Sequence, residues 1–275
     1  MPKHNKSQSR HKVIMALLEQ NEEITLPFLC RKLNCSETTI RNDLRSLEQH
    51  GMLRRTFGGA IRVEENTHFW LNINMRERAH ALEKNSIAIY AADHYVRPDM
   101  TIFLDAGTTC ALLAQEIAKR RIRLTVMTYS FHAAVALTPA LDLIQLYLIG
   151  GMYNPITGSL YDEFQQETFK HLRADIFFMG TDAVSGEGGL TITGLSGFAE
   201  SASKRALIDS SEKTYVLADH YKFGRSAMKL VCDADAVDAI ITDDGVDAAD
   251  VKELSDRGAV ILTAEGGSGA RTGKA

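Results

Sequence analysis

Apolar and polar positions follow two different patterns along the chain, and each pattern predicts a different kind of domain. Up to about residue 63, apolar residues recur three and four apart, which is typical of amphipathic helices. Helices are predicted there over about 10–19, over 26–33, and from Ser36 to a C-cap at Gly51. Beyond about residue 100, short apolar runs alternate with helical stretches. That second pattern predicts a mainly parallel sheet with helices on both faces.

The third helix carries the most informative run. Ser36 occupies the N-cap position, and Glu37 and two threonines follow in the first turn. One face is apolar and the opposite face is polar or basic. The residues after the helix, 53–62, are basic and turn at Gly58-Gly59, which indicates a short hairpin. A polar helix followed by a basic hairpin is typical of a winged helix-turn-helix that binds double-stranded DNA.

This pattern predicts a set of DNA contacts. Near the start of the helix we expect a DNA contact from Ser36, and contacts to base edges from Thr38, Thr39, Arg41 and Asn42. We expect contacts to phosphates from Arg45, Arg54, Arg55 and Arg62. The alternative for Arg45 and Arg54 is that they are ordinary solvent-exposed surface residues without a DNA contact.

The second half is predicted to contain seven strands and six helices. The strands are placed at 101–104, 124–128, 143–149, 175–179, 214–218, 239–242 and 260–262. The helices are placed at about 76–95, 110–120, 131–137, 163–172, 199–210 and 247–257. The domain organisation that follows is a winged helix-turn-helix over 1–63, a linker over 64–75 that packs Phe69 and Trp70, an α/β domain over 76–264, and a disordered Gly/Ser-rich tail over 265–275.

Polar and small residues collect where the predicted strands end. Ligands of open α/β sheets bind outside these carboxyl ends. The first strand ends in Asp105-Ala106-Gly107-Thr108-Thr109, where hydroxyls and the free N–H groups of a helix start suit a phosphate. The full set of expected effector contacts is Asp105, Gly107, Thr108, Thr109, Thr128, Ser130, Gly150, Gly151, Asp182, Glu200, Lys204 and Lys222.

Two of these expectations have structural alternatives. Glu200 and Lys204 lie four apart on one predicted helix and would form an ordinary surface ion pair if they bound no ligand. Lys222 is either a solvated loop lysine or a cation aimed at a ligand phosphate.

The net charge changes sign at the same place along the chain as the pattern of apolar residues changes. Residues 1–63 hold 11 Lys+Arg against 6 Asp+Glu, a balance of +5. The whole chain has a net charge of −4, so the remainder carries −9. A basic head on an acidic body confines the affinity for nucleic-acid phosphates to the first domain.

The remaining composition narrows the class of protein. No run approaches the roughly 18 apolar residues of a membrane span, and no signal peptide is evident, so we expect a cytoplasmic protein without membrane contacts. The four cysteines and nine histidines are scattered. This dispersal speaks against a metal- or redox-sensing regulator and against any resident cofactor or metal.

With both halves considered, the chain resembles the DeoR family of bacterial transcriptional regulators over roughly residues 10–245. The resemblance rests on the ordered motifs of both domains: the residues 36–44, 47–48 and 51, Gly58-Gly59-Ala60, 105–109, 148–151, Ala174-Asp175 with Gly180, Glu200, Lys204-Arg205, Asp219 with Lys222-Phe223-Gly224, and 241–243. It implies a C-terminal domain that resembles ribose-5-phosphate isomerase in fold and senses a sugar phosphate, usually as a repressor of a sugar-utilisation operon. It also implies a homodimer or homotetramer on paired half-sites.

Four positions depart from the family's pattern. Asn42 stands where an arginine is common, which predicts an altered base preference because Asn reads adenine and Arg favours guanine. Tyr129 replaces an asparagine, and Asp162 and Ala183 replace glycines. Tyr129 and Asp162 are expected to narrow the ligand pocket, so the identity of the ligand stays open.

An enzyme is the alternative of a different class. A sugar-phosphate isomerase needs a carboxylate base beside the sugar carbon, and Asp105, Asp182, Glu200 or Asp219 could be proposed for it. None of them lies in a recognisable catalytic loop. We therefore expect a DNA-binding regulator rather than an enzyme.

Overall fold

A computed structural model describes residues 10–11, 13–18, 21, 23–49, 53–56, 58–62, 73–162, 164–194 and 199–264. The chain divides into two compact units, Met1–Ala79 and His80–Ala275. The predicted C-cap at Gly51, the packing of Phe69 and Trp70, and the tail over 265–275 all lie outside the described residues.

The first unit is a winged helix-turn-helix, as predicted. Residues 10–11 and 13–18 are helical. They are followed by β1 (Glu23–Thr25), α1 (Leu26–Leu33), α2 (Glu37–Gln49), β2 (Leu53–Arg55) and β3 (Gly59–Arg62). The strands form an antiparallel sheet in the order β1-β3-β2. The wing hairpin was predicted, whereas β1 was not, because three residues are too few to show a period.

The apolar stripe of each helix meets in one core. Ile14, Leu29, Ile40 and Leu47 are fully or almost fully buried, which is what the three- and four-residue spacing requires. A side chain at Gly59 would place its Cβ 2.0 Å from the carbonyl oxygen of Ile24. Glycine is therefore needed for the wing to pair with β1.

The predicted single helix over 76–95 is wrong. The structure has two helices, α3 (Ile73–Arg78) and α4 (Ala81–Tyr95). His80 separates them with a left-handed φ of 53°, and that conformation cannot continue a right-handed helix. Helix α3 also begins inside the stretch expected to be a linker.

The second unit is built on a seven-stranded parallel sheet, which confirms the predicted fold class. Its order is β15-β14-β12-β9-β4-β5-β6, and every pairing is parallel. The strands are β4 (Thr101–Leu104), β5 (Leu124–Thr128), β6 (Ile144–Leu148), β9 (Ala174–Gly180), β12 (Ser211–Leu217), β14 (Ala239–Asp243) and β15 (Ile261–Ala264).

Helices cover both faces of this sheet. They are α5 (Thr108–Arg120), α6 (Phe131–Leu137), α7 (Gln165–Lys170), α8 (Ala199–Asp209) and α9 (Ala248–Asp256). One core contains Ile87 of α4, Leu113 of α5 and Ala133 of α6. The core on the other face contains Phe169 of α7, Leu207 of α8 and Leu254 of α9.

Five further strands were not predicted. They are β7 (Met152–Asn154), β8 (Ser159–Tyr161), β10 (Ala183–Ser185), β11 (Gly189–Ile192) and β13 (Lys229–Cys232). β7 and β8 form a hairpin, and the other three form a small antiparallel sheet. Each has only three or four residues, so neither alternation nor an apolar run marks it in the sequence.

The order of the strands defines where a ligand can bind. From β4 the chain moves outward through β5 to β6, and it then returns to β9 and moves outward the other way through β12, β14 and β15. The direction reverses between β4 and β9. A crevice at the carboxyl ends of the strands is expected at such a switch point.

Candidate functional site

Asp105 lies directly after β4, at the switch point, and its carboxylate joins three elements. Oδ1 accepts hydrogen bonds from the backbone N–H of Ala106 (2.8 Å) and from the hydroxyl of Tyr129. Oδ2 accepts from the backbone N–H of Gly180 (2.7 Å), at the end of β9, and from Lys204 Nζ on α8. The residue is only 1% exposed. Its oxygens are thus fully used inside the protein.

Lys204 is the cation of this network and is equally buried. Its ammonium donates to Asp105 and to the carbonyl oxygen of Gly180 (3.0 Å), and it lies 3.7 Å from Glu200 Oε1. Burial lowers the pKa of Lys204, but the charges of Asp105 and Glu200 outweigh it and raise that pKa above its ordinary value. The alternative of a surface ion pair between Glu200 and Lys204 is wrong, since the lysine side chain is 3% exposed.

Tyr129 completes the network from the end of β5. The side chain is 1% exposed, and its hydroxyl donates to Asp105. Burial, followed by the charges of Asp105 and Glu200, raises the pKa of Tyr129 well above its ordinary value. The phenol therefore stays neutral and remains a donor. The sequence marked Tyr129 only as a departure from a family pattern, and its partner lies 24 positions away.

Two residues expected to contact a ligand are used by the backbone instead. Thr128 is fully buried, donates to the carbonyl oxygen of Leu104 (2.7 Å) and accepts from the N–H of Ser130 (3.0 Å). Ser130 is 1% exposed and accepts from the N–H of Ala133 (3.1 Å) as the N-cap of α6. In the structure these hydroxyls are helix- and strand-end caps, a correction of their expected role.

The start of α5 has the opposite character. Thr108 and Thr109 are each 6% exposed, and neither hydroxyl has a hydrogen-bond partner among the described residues. Gly107 is the N-cap and has no side chain that could accept a hydrogen bond from the first-turn N–H groups. A Cβ at Gly107 would lie 3.4 Å from Gly180 Cα, so the helix start is held directly against the end of β9. Hydroxyls and first-turn N–H groups are the donors with which helix starts generally bind anions.

The other expected effector residues are more dispersed. Gly150 and Gly151 are exposed, and Gly151 is required by packing, because a Cβ there would lie 1.8 Å from the carbonyl oxygen of Tyr161. Asp182 Oδ2 accepts from the N–H and the hydroxyl of Thr193, both at 2.9 Å. Lys222, in the turn after β12, is half-buried, and its ammonium has no partner among the described residues.

A buried acceptor near Lys222 was not expected to contact the effector. Asp219 is 1% exposed, and its Oδ1 is buried without a hydrogen-bond partner among the described residues. The backbone N–H of Lys222 donates to the carbonyl oxygen of Asp219 (2.9 Å). Buried acceptors are normally satisfied, so this unpartnered oxygen is unusual.

Asp162 and Ala183 do not bear on the network. Asp162 is exposed, and its Oδ1 accepts from the N–H of Phe164 (2.8 Å), which closes a local turn. Ala183 is fully buried. Neither has a hydrogen bond to Asp105 or Lys204 among the described contacts, so of these three departures only Tyr129 joins the network.

The polar face of α2 is open to solvent. Ser36 accepts from the N–H of Thr39 (3.3 Å), as the predicted N-cap, and it also contacts the Thr39 hydroxyl (3.0 Å). Thr38, Asn42 and Arg45 are exposed. Arg41 is exposed and makes a weak pair with Glu37 (3.3 Å). The side chains of Arg54 and Arg62 lie outside the described residues.

Arg55 differs from the other basic residues because it is held by α2. Glu48 Oε2 accepts from Arg55 Nε (2.6 Å), and Oε1 accepts from the Arg55 backbone N–H (3.0 Å). Burial raises the pKa of Glu48, but these bonds outweigh it and lower the pKa below its ordinary value. The pair fastens the wing to the helix, a role that the sequence does not signal because the residues lie in different elements.

Asp43 fastens the same helix to the N-terminal helical segment. It is 5% exposed and accepts from Arg10 Nε (2.6 Å) and Nη2 (3.0 Å). His11 Nε2 lies 3.2 Å from Asp43 Oδ1. The hydrogen bond to Asp43 raises the pKa of Arg10. Helix α2 is thus tied at Asp43 and at Glu48, which sets the direction of its exposed face.

Comparison with known proteins identifies the chain. A family model described as the DeoR-like helix-turn-helix domain matches residues 10–66, and one described as the DeoR C terminal sensor domain matches residues 79–244. The chain belongs to the DeoR family. It is a DNA-binding transcriptional regulator and not an enzyme, so the isomerase alternative is wrong.

The relatives of this DeoR-family chain include three regulators. The HTH-type transcriptional regulator GolR of Listeria innocua is 34% identical over 93% of this chain and 98% of its own. The putative aga operon transcriptional repressor of Escherichia coli O157:H7 is 28% identical over 94% of each chain. The glycerol-3-phosphate regulon repressor of Escherichia coli K12 is 28% identical over 86% of this chain and 91% of its own.

Solved structures similar to the chain include ribose 5-phosphate isomerase A of Methanocaldococcus jannaschii. The identity is 22%, the TM-score is 0.36, and the match covers 52% of this chain and 53% of the isomerase. A likeness this distant carries no argument about function. Among the described residues, no helix is long and apolar enough to cross a membrane, and no cluster of His, Cys, Asp or Glu could hold a metal ion.

Proposed function

We propose that this protein represses a sugar-utilisation operon and that a phosphorylated sugar, bound at the start of α5, weakens its hold on operator DNA. The observation that carries the ligand proposal is the pair of unpartnered hydroxyls of Thr108 and Thr109 at the switch point of the sheet. The coupling between the two sites is allosteric in the strict sense, with one free energy shared by DNA and effector.

The DNA part of the proposal uses the exposed face of α2. Thr38, Arg41 and Asn42 are offered to base edges, and Arg45 is offered to a phosphate. Arg54 and Arg62 of the wing remain proposed phosphate contacts. We reassign Arg55 and Ser36, because the guanidinium is engaged by Glu48 and the hydroxyl caps the helix. They position the wing and the helix rather than contact DNA.

The effector part of the proposal uses polar groups that have no hydrogen-bond partner among the described residues. A phosphate placed at Gly107 would accept from the first-turn N–H groups of α5 and from both threonine hydroxyls. The 13-residue helix also contributes the positive end of its dipole. Lys222 supplies a cation and Asp219 an acceptor for a sugar hydroxyl from the neighbouring strand end, and Asp182, Glu200, Gly150 and Gly151 stay proposed at the rim.

Four buried residues are proposed to position this site without contacting the ligand: Asp105, Lys204, Thr128 and Ser130. Their polar atoms are already bonded, so they hold Gly180 and the start of α5 in place for the ligand. Tyr129 closes the same layer. We infer that a ligand reaches the surface above this network and leaves the network intact.

The relatives support the class of ligand and the direction of control. One is named for the aga operon and another for the glycerol-3-phosphate regulon, and both are named repressors. We extend this to the present chain, together with assembly as a homodimer or homotetramer on paired half-sites.

Fluorescence anisotropy with the DNA upstream of the chain's own gene tests the DNA part. We expect tight binding that weakens steeply with salt, and Arg45→Ala should reduce the salt slope by about one phosphate contact. Binding that is equally strong to unrelated DNA would refute the proposal. A thermal-shift screen of free and phosphorylated sugars tests the effector part, since a ligand of the folded state raises the melting temperature by mass action.

A further inference from the structure

An uncharged surface lies at the β6 edge of the large sheet. Residues 143–161 contain no Asp, Glu, Lys or Arg, although 24% of the chain is charged. Six side chains of this region are large, apolar and exposed. We call them the β6 patch: Phe131, Val135, Tyr147, Leu148, Met152 and Tyr153.

The β6 patch spans three elements of the second unit, α6, β6 and β7. Met152 is 77% exposed, and the other five side chains are between 43% and 51% exposed. The rings of Phe131 on α6 and Tyr153 on β7 meet edge to face with centroids 5.6 Å apart. Helix α6 also packs against β6 and β8. A group of exposed apolar side chains on neighbouring elements indicates an interaction site, whereas single exposed apolar residues do not.

The patch includes an unpaired strand edge. β6 is the last strand of the seven and pairs only with β5. Its sequence, IQLYL, contains no proline or charge, and these are the features by which proteins usually protect an edge from pairing with another chain.

We propose that the β6 patch is the interface between two copies of this chain, with β6 of one copy paired antiparallel to β6 of the other across a twofold axis. A twofold axis brings the same surface against itself. This surface can meet itself without like-charge repulsion because it carries no charge, and the absence of basic residues excludes DNA as its partner. The proposal rests on the homo-oligomer of the proposed function and names its interface.

The pairing would join the two large sheets into one. Tyr147 and Gln145 lie on one face of β6, where the Gln145 amide donates to the Tyr147 hydroxyl (2.7 Å). Leu148 alternates to the other face, towards α6. In such a dimer, apolar side chains of both copies would be buried together on each face of the joined sheet. The N–H and C=O groups of the two β6 edges would hydrogen-bond to one another.

Sedimentation velocity of the full chain tests the proposal with Leu148→Lys and a matched control, Val260→Lys. Val260 is 50% exposed and precedes β15, at the opposite edge of the sheet. We expect the wild type and Val260→Lys to be dimers, or tetramers built from two such dimers. We expect Leu148→Lys to raise the dimer dissociation constant at least tenfold, with an unchanged circular dichroism spectrum and melting temperature at low protein concentration.

Hydrogen exchange locates the contact independently of the variant. The β6 amides that point away from β5 should exchange slowly in the assembled wild type and rapidly in Leu148→Lys. A wild-type assembly that Leu148→Lys leaves intact, or fast exchange at those amides, would overturn this interface while the homo-oligomer stands. A wild-type monomer that still binds its operator would overturn both the interface and the assembly but not the DNA-binding function.

Discussion

Lys204 and Asp105 form an ion pair beneath the switch point of the sheet, with side chains 3% and 1% exposed. The pair joins α8 to the end of β4, and both partners also bond Gly180 at the end of β9. Because a buried pair is costly to break, this network fixes the position of the start of α5 and so of Thr108 and Thr109. The residues that hold the site are thus distinct from those that the ligand would touch.

Lys204→Met should destabilise the protein strongly. It retains most of the side chain's length but leaves the Asp105 carboxylate buried without a cation, and breaking a buried pair costs about 3–5 kcal/mol. The matched control is Lys170→Met, which breaks an exposed surface pair with Glu167, and such pairs contribute little to stability. Urea unfolding of both variants checks the difference. If Lys204→Met unfolds like the control and loses only its ligand response, Lys204 is a ligand contact instead.

Tyr129→Phe should change the alkaline stability of the protein. The folded-state pKa of Tyr129 is raised by burial and by Asp105 and Glu200. Its contribution to stability is therefore fully present below the ordinary tyrosine pKa of about 10 and is lost as the pH rises towards the folded-state pKa.

The measurement is the free energy of unfolding between about pH 9 and 11. The wild type should lose stability more steeply than Tyr129→Phe, by about 1.4 kcal/mol per pH unit for one proton. Equal slopes for the wild type and Tyr129→Phe would mean that the phenol is not buried in its neutral form.

The sequence predicted the two-domain fold and placed the candidate site at the strand ends. It did not show which residues of that site bond to one another and which remain unpartnered. Long apolar runs such as that of β9, and the three- and four-residue spacing of α2, are local patterns that a single sequence displays. The elements and the parallel sheet could therefore be predicted. The type of residue at each strand end was informative as well. Whether Lys204 faces water or meets Asp105, 99 positions away, depends on tertiary packing that a single sequence does not display.

The same limit applies to Arg55 and to the break at His80. Arg55 and Arg45 are both arginines near the predicted DNA surface, and only the Glu48 carboxylate distinguishes them. The break at His80 was missed because the left-handed conformation of a non-glycine residue has no strong local signal.

Glu48→Gln tests whether Arg55 positions the wing or contacts DNA. If Arg55 positions the wing, both Glu48→Gln and Arg55→Ala should weaken operator affinity by a similar factor, about tenfold, and the double variant should be no weaker than either alone. The salt slope should stay at the wild-type value. A phosphate contact would instead show a slope reduced by about one in Arg55→Ala and tighter binding in Glu48→Gln.

Asn42→Arg should change which operator the protein prefers without changing its fold. Asn42 is exposed on α2, and Asn pairs with adenine while Arg pairs with guanine. Selection from a randomised half-site should show one adenine replaced by guanine, with a discrimination of about 1–3 kcal/mol at that position. An identical preferred site for the wild type and the variant would place Asn42 away from the bases.

The release of operator DNA by a phosphorylated sugar tests the central claim most directly. Anisotropy of the labelled operator would be measured with a panel of sugar phosphates and the matching free sugars, on the wild type, on the double variant Thr108→Val/Thr109→Val, and on Thr263→Val, an exposed strand threonine, as control. The account predicts that a phosphorylated sugar releases the operator from the wild type and the control, and that the double variant needs at least tenfold more of it. Release of the double variant at the wild-type concentration, or release by the free sugar alone, would contradict it.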